Sequence, residues 1–220
     1  MLGSSVELLS QGGFVVSVLG AMSVVALAVI LLKSFQFMVN RWSGDAQIEE
    51  FIQALQSGDR SKALKSLEAH KDDRAALLSQ TLTLADAQSV DLSVVKVESI
   101  RLARAAIDKL SGFLRVLEVI ATTAPLLGLF GTVLGMIEAF QALEAAGSQV
   151  NPSILSGGIW QALLTTAVGL AVAIPVSMVH SWFERRVELR AATLQNDIDR
   201  TFLILSATPL MQPAHRAKAA

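Results

Sequence analysis

The chain has 220 residues, 52% of them hydrophobic and 17% charged, with a formal net charge of −1, a more apolar and less charged make-up than ordinary soluble domains have, so a membrane protein is the first expectation. Without a basic field or basic residues interleaved with aromatics, nucleic acid is not an expected partner. The lack of Cys excludes disulfides, thiol nucleophiles and thiolate metal centres, and His70, His180 and His215 do not stand at ligand spacing, so neither a metal nor a cofactor is expected.

Residues 1–13 precede a first uncharged run, 14–32, FVVSVLGAMSVVALAVILL, which matches the ~20 apolar residues that a membrane helix needs. No basic region precedes it and no small-residue cleavage site follows, so it reads as a retained span and not as a removed signal peptide. Residues 33–118 form an insert with helical periodicity. Ile48, Phe51, Ile52 and Leu55 make one apolar face, Ala63, Leu64 and Leu67 another, and Gly58 and the run His70-Lys71-Asp72-Asp73-Arg74 supply breaks. From Val94 onward Val97, Ile100, Leu102, Ile107, Leu110, Phe113 and Leu114 lead into the second span without a Pro or a turn cluster. One long helix is expected there, with Gly112 as its weak point.

The second span is expected at 119–139, a short connection at 140–153 and the third span at 154–179, neither span charged at its centre. Past it, residues 180–220 keep Phe183, Val187, Leu194, Ile198, Phe202 and Leu205 near helical spacing, with Trp182, Arg185 and Arg186 at the level of the headgroups. Twelve of the 18 Lys and Arg lie between Lys33 and Arg115 and the other six from Arg185 onward. By the positive-inside rule the N-terminus and the 140–153 loop are outside, while the insert and the C-terminus are cytoplasmic. The chain therefore reads as an all-α membrane protein with three transmembrane helices, the second and third extending as long helices into a helical cytoplasmic domain. The charged, extended helices either present a solvated face or pack their apolar stripes against neighbouring subunits. An insert divided among short helices has little core of its own, which favours the second.

Helices already inserted in lipid associate through small residues and through Ser or Thr hydrogen bonds. Pro125, Gly128, Thr132, Gly135 and Ala139 share one face of the second span, and Gly158, Ala162, Thr166, Gly169 and Ala173 one face of the third. Such a face meets another helix or lines a narrow path. Gly128, Gly131, Gly135, Gly158, Gly169, Pro125 and Pro175 are the expected helix-packing residues, the prolines interrupting the backbone ladder near the cytoplasmic side. Taken alone, the Thr132 and Thr166 hydroxyls read as bonded to the carbonyl one turn earlier on their own helix. The Gln161 amide, with two donors and an acceptor, must face protein or water. Proton relays in membranes use Asp, Glu or His, yet the spans hold no Asp, and Glu118, Glu138 and His180 lie only at their edges. A titrating group for a proton path would belong to another chain.

The segments TAPLLGLFGTVLGMIEAF, 123–140, and GGIWQALLTTAVGLAVAIP, 157–175, together resemble the MotA/TolQ/ExbB proton-channel family, its ExbB/TolQ branch most closely. The resemblance covers the second and third spans and fits the topology of the whole chain. It implies a subunit of a bacterial inner-membrane motor, generally a homopentamer, around single-span ExbD/TolR-like partners that carry the proton-binding Asp. The output would be TonB-dependent outer-membrane transport through a TonB-like protein, or TolQ-like maintenance of the envelope. It implies a pore-lining role for Thr132 and Thr166, with Gln161 at a position where many relatives carry Glu. Gln can hydrogen-bond there but cannot exchange a proton. A non-conducting scaffold is the competing class. A transporter would need a midplane site that three spans without an inverted repeat do not supply, and an enzyme would need a nucleophile, metal cluster or phosphate loop that the sequence lacks.

Overall fold

The computed structural model describes residues 13–39, 44–68, 72–87, 91–146 and 152–207; His70, His215, the first twelve residues and the middle of the 140–153 loop lie outside them. The described residues form seven helices and no strand: α1 (Gly13–Val39), α2 (Asp45–Gln56), α3 (Arg60–Glu68), α4 (Asp73–Asp86), α5 (Leu92–Ser111), α6 (Leu114–Ala146) and α7 (Pro152–Ala207). They group into two compact units, one drawn from Met1–Phe35 and Phe113–Glu184, the other from Gln36–Gly112 and Arg185–Ala220.

The first unit contains α1, α6 and the N-terminal part of α7. Three helices, Gly13–Val39, Leu114–Ala145 and Leu155–Ala207, are long and apolar enough to cross a membrane. At 1.5 Å per residue α1 is about 40 Å long, more than the ~30 Å hydrocarbon core. Val15 and Leu19 of α1 are buried against Ala124 of α6 and Ala173 of α7, with Met22, Leu127, Val168 and Val172 packed around them. Outside this contact large apolar residues are exposed on all three helices, among them Val24, Leu31 and Phe35, Leu126, Phe130 and Val133, and Trp160, Leu163 and Ile174. A water-soluble domain buries such residues; a membrane helix turns them to lipid or to neighbouring subunits. Pro125 and Pro175 lie inside α6 and α7 without ending either, because within lipid a single segment keeps its backbone groups paired by staying helical.

In the second unit each short helix has a chemical start or stop. Gly58, at φ 79°, lets the chain turn after α2 while its N–H and that of Asp59 reach the carbonyls of Leu55 and Ala54. Asp72 caps α4, accepting from the N–H groups of Arg74 and Ala75 at 2.9 Å, and Asp91 caps α5 through the Ser93 N–H. A cap of this kind contributes about 1 kcal/mol. The two apolar faces read from the sequence in α2 and α3 meet: Ile48, Phe51, Ile52, Leu55, Ala63 and Leu67 form one core with Ala75, Leu78 and Leu82 of α4 and Leu205 of α7. Leu194, Ile198 and Phe202 of α7 form a second with Leu77, Val95 and Ala103.

Two expectations are thereby corrected. The insert has a core of its own, completed by the C-terminal stretch of α7, whose apolar stripe from Phe183 to Leu205 is buried within the chain. The helix expected to run unbroken from Val94 into the second span is interrupted. It ends at Ser111, Phe113 takes φ 66°, and α6 starts at Leu114. A left-handed residue cannot continue the i→i−4 ladder, and the interruption falls on the boundary between the two units.

Candidate functional site

Within the first unit the small faces of α6 and α7 are turned to each other. A Cβ added at Gly128 would stand 3.0 Å from the carbonyl oxygen of Thr165 and the Cα of Thr166, and one at Gly169 would stand 2.7 Å from the carbonyl oxygen of Ala124. Farther along, Gly131 meets the Thr165 side chain, Gly135 meets Ala162, and Gly158 meets Ala139. The expected packing glycines thus form one continuous seam. The prolines do not share its character: Pro125 is half-buried and Pro175 is exposed.

Hydroxyls close the seam. Thr166, half-buried, donates to the carbonyl oxygen of Gly128 at 3.1 Å. Thr165, buried, reaches the same oxygen at 3.1 Å and that of Ala162, one turn back, at 2.6 Å. Thr132, half-buried, donates to Leu129 of its own helix at 2.6 Å. Thr132 therefore makes the local bond that Thr often makes in membrane helices, whereas Thr166 ties two spans together. Thr165 is a residue that apolar periodicity does not mark. Its position three residues past Ala162 and four before Gly169 places it on the same face, and that spacing was the available signal.

Gln161 is half-buried on α7 and does not sit in the seam. It lines a recess of about 100 Å³ with Gly131, Leu134, Gly135 and Glu138 of α6, Thr165 of α7, and Gly13, Phe14 and Val15 of α1. Of the acidic residues at the edges of the spans, Glu118 is paired with Arg115 at 3.0 Å, and Glu138 is exposed and reaches this recess. No group of three His, Cys, Asp or Glu able to hold a metal occurs among the described residues.

The second unit holds a different polar centre. Arg74 of α4, buried, gives two hydrogen bonds to Asp197 of α7, Nε to Oδ2 at 2.7 Å and Nη2 to Oδ1 at 3.1 Å, and one to Asp45 at the start of α2 at 3.0 Å. Burial works against the guanidinium charge, but the hydrogen bonds and charges of Asp197 and then Asp45 outweigh it and raise the Arg74 pKa above its ordinary value. Thr81 and Ser99, both buried, pair at 2.9 Å, and Ser99 donates onward to the carbonyl of Val95. These groups tie α2, α4, α5 and α7 of the unit to one another.

Residues 61–196, more than half of the chain, match the MotA/TolQ/ExbB proton channel family. The chain belongs to this family. The matched region runs from α3 through most of α7 and takes in the whole seam. Among curated proteins, the chain is 29% identical over 175 residues to the biopolymer transport protein exbB1 of Vibrio cholerae, a match covering 77% of each. To a putative ExbB homologue of Methanothermobacter thermautotrophicus it is 26% identical over 94% of this chain and 70% of the other. To the Tol-Pal system protein TolQ of Haemophilus influenzae it is 37% identical, over 45% of this chain and 43% of that protein. ExbB and TolQ proteins are thus both among the relatives, and membership places the chain with channel and transport-associated proteins and not with a known class of enzyme.

Proposed function

We propose that the chain is the ring-forming proton-channel subunit of a bacterial inner-membrane motor that couples proton-motive force to TonB-dependent transport at the outer membrane. The observation that carries this reading is the match over 61–196, which contains both membrane helices of the glycine-threonine seam. Five copies would surround the single-span helices of an ExbD/TolR-like partner, with a TonB-like protein as the element moved. The chain's own spans hold no Asp, so the partner supplies the membrane carboxylate that takes and releases the proton. Thr132, Thr166 and Gln161 line the path, residues 1–13 and the 140–153 loop face the periplasm, and residues 33–118 and 180–220 face the cytoplasm.

Paired glycines let α6 and α7 approach until their backbones touch. A pair so joined moves as one wall, and the partner helices can shift against it without opening the subunit. Co-expression with a small single-span protein bearing a membrane Asp, purification of the complex and its reconstitution in vesicles tests the reading. An acid-driven proton flux that depends on the partner's Asp is expected; stable complexes without such flux would overturn it.

Two other outputs have support of their own. The identity to a TolQ protein favours envelope maintenance, read out as detergent sensitivity instead of growth on scarce iron. The bonds that the Thr132 and Thr166 hydroxyls make to backbone carbonyls favour a non-conducting scaffold. In that case Thr132→Val and Thr166→Val would leave growth under iron limitation and detergent resistance unchanged.

A further inference from the structure

The recess beside the seam has one titratable wall. Gly131, Leu134, Gly135 and Glu138 follow one another at steps of three, one and three, which puts them on one face of α6, and Gln161 and Thr165 are one turn apart on α7. Gly13 closes the third side: a Cβ there would stand 3.8 Å from the Gln161 Nε2. Among the described residues that line the space, Glu138 alone can titrate. The contributions of α1 are Gly13, Phe14 and Val15, and those of α7 are Gln161 and Thr165.

A carboxylate at the edge of a membrane helix needs water or a partner. A space of about 100 Å³ with an acid, an amide and a hydroxyl on its walls is large and polar enough to hold water, which requires roughly 10–15 Å³ per molecule and several polar neighbours. From Glu138 the Gln161 amide continues the polar wall inward, while the Thr165 hydroxyl is engaged by the carbonyls of Gly128 and Ala162 and serves the seam. We infer that Glu138 is the proton-collecting group at the outer mouth of the path and that it shares one hydrated recess with Gln161, so that α6 supplies the acid that the third span lacks. This deepens the proton-channel reading and rests on it. The carboxylate takes a proton from a hydronium ion, leaving water, and the resulting carboxylic acid releases it inward to the membrane carboxylate of the partner. Gln161 hydrogen-bonds the water between them and does not titrate.

Because the chain has no Cys, single variants E138C and Q161C in the assembled complex report access directly. A membrane-impermeant thiosulfonate added from the periplasmic side should label both, whether or not the complex conducts; failure to label either overturns the shared recess. In vesicles, E138Q should lower proton flux several-fold and flatten its dependence on outer pH, and E138Q/Q161E should restore both by returning an acid to the same space. Normal flux and an unchanged pH profile in intact E138Q complexes overturn the collecting role alone. Wild-type complexes that carry no flux overturn the channel reading beneath it.

Discussion

The Thr166 hydroxyl lies 3.1 Å from the carbonyl oxygen of Gly128, and the Thr165 hydroxyl reaches that same oxygen, also at 3.1 Å. The two hydroxyls hold one backbone atom of α6, so replacing each by valine, which keeps the shape, separates structure from conduction. Thr165→Val should lower stability by about 0.6 kcal/mol, the average for hydrogen bonds between membrane helices, and leave flux per complex unchanged. Thr166→Val should cost a similar amount of stability but lower flux as well, since this residue is proposed to face the path. Melting of the purified complex and vesicle flux, measured on the same preparations, decide between them.

Backbone proximity in the seam makes a sharper prediction. At Gly169 a methyl group would stand 2.7 Å from the carbonyl oxygen of Ala124 and 3.1 Å from the Cα of Gly128. Neither atom can swing aside as the end of a side chain would. Gly169→Ala should therefore destabilise by about 1–3 kcal/mol as overpacking does, with loss of the assembled complex in detergent. Gly157, on the same helix, has nothing within 4 Å of its added Cβ. Gly157→Ala should be neutral or stabilise by up to about 1 kcal/mol, the difference in helix propensity. Equal melting temperatures for the two variants would contradict the seam.

The stripe from Phe183 to Leu205 and the two faces of α2 and α3 were legible in the sequence because large apolar side chains recur there at helical spacing, and all of them except Leu64 are buried. On α5 Ile100, Leu102 and Ile107 pack against the core as expected, whereas Val97 does not. Val97 is 69% exposed while Ser99 is 0% exposed, since Thr81 satisfies the Ser99 hydroxyl and makes a polar residue cheap to bury. Hydropathy counts cannot show a hydrogen bond supplied by another helix. The same limit hid Thr165, whose acceptor lies on α6, and Asp197, whose partner Arg74 is 123 positions away in the chain. At Gly112–Phe113 apolar spacing continues through Leu110, Leu114 and Leu117, all buried, so periodicity alone could not reveal the interruption.

Acid should fray α5 from its start. The Asp91 carboxylate accepts from the backbone N–H of Ser93, and this bond, followed by one from the Ser93 side chain, holds its pKa below the ordinary carboxylate value. A depressed folded-state pKa gives a contribution that is fully present above the unfolded pKa and is lost as pH falls through the folded one. Hydrogen-exchange protection in the first turn of α5, corrected for intrinsic exchange, should therefore drop over the acidic range below the ordinary Asp value. Asp91→Asn keeps a capping oxygen and removes the titration, so its protection should stay level over that range. A variant that loses protection in step with the wild type would show that another group controls the turn.

Arg74 and Asp197 test how the second unit is held together. Their side chains are 6% and 2% exposed, and the guanidinium meets the carboxylate through two hydrogen bonds. Arg74→Ala would leave the Asp197 charge buried and unpaired, a change that costs about 3–5 kcal/mol. Arg74→Lys keeps the charge but loses the planar fork, and should fall between the wild type and the alanine variant. The double variant Arg74→Leu/Asp197→Leu removes both charges and fills the space with apolar atoms, and should recover most of the loss. Asp45 need not compensate, because its side chain is 95% exposed and water can solvate it once Arg74 is gone. Limited proteolysis of the complex across the α2–α4 region reads the order: wild type and the double variant resistant, lysine intermediate, alanine cut fastest. If the double variant were cut as fast as the alanine variant, the pair would be contributing specific geometry that apolar packing cannot replace.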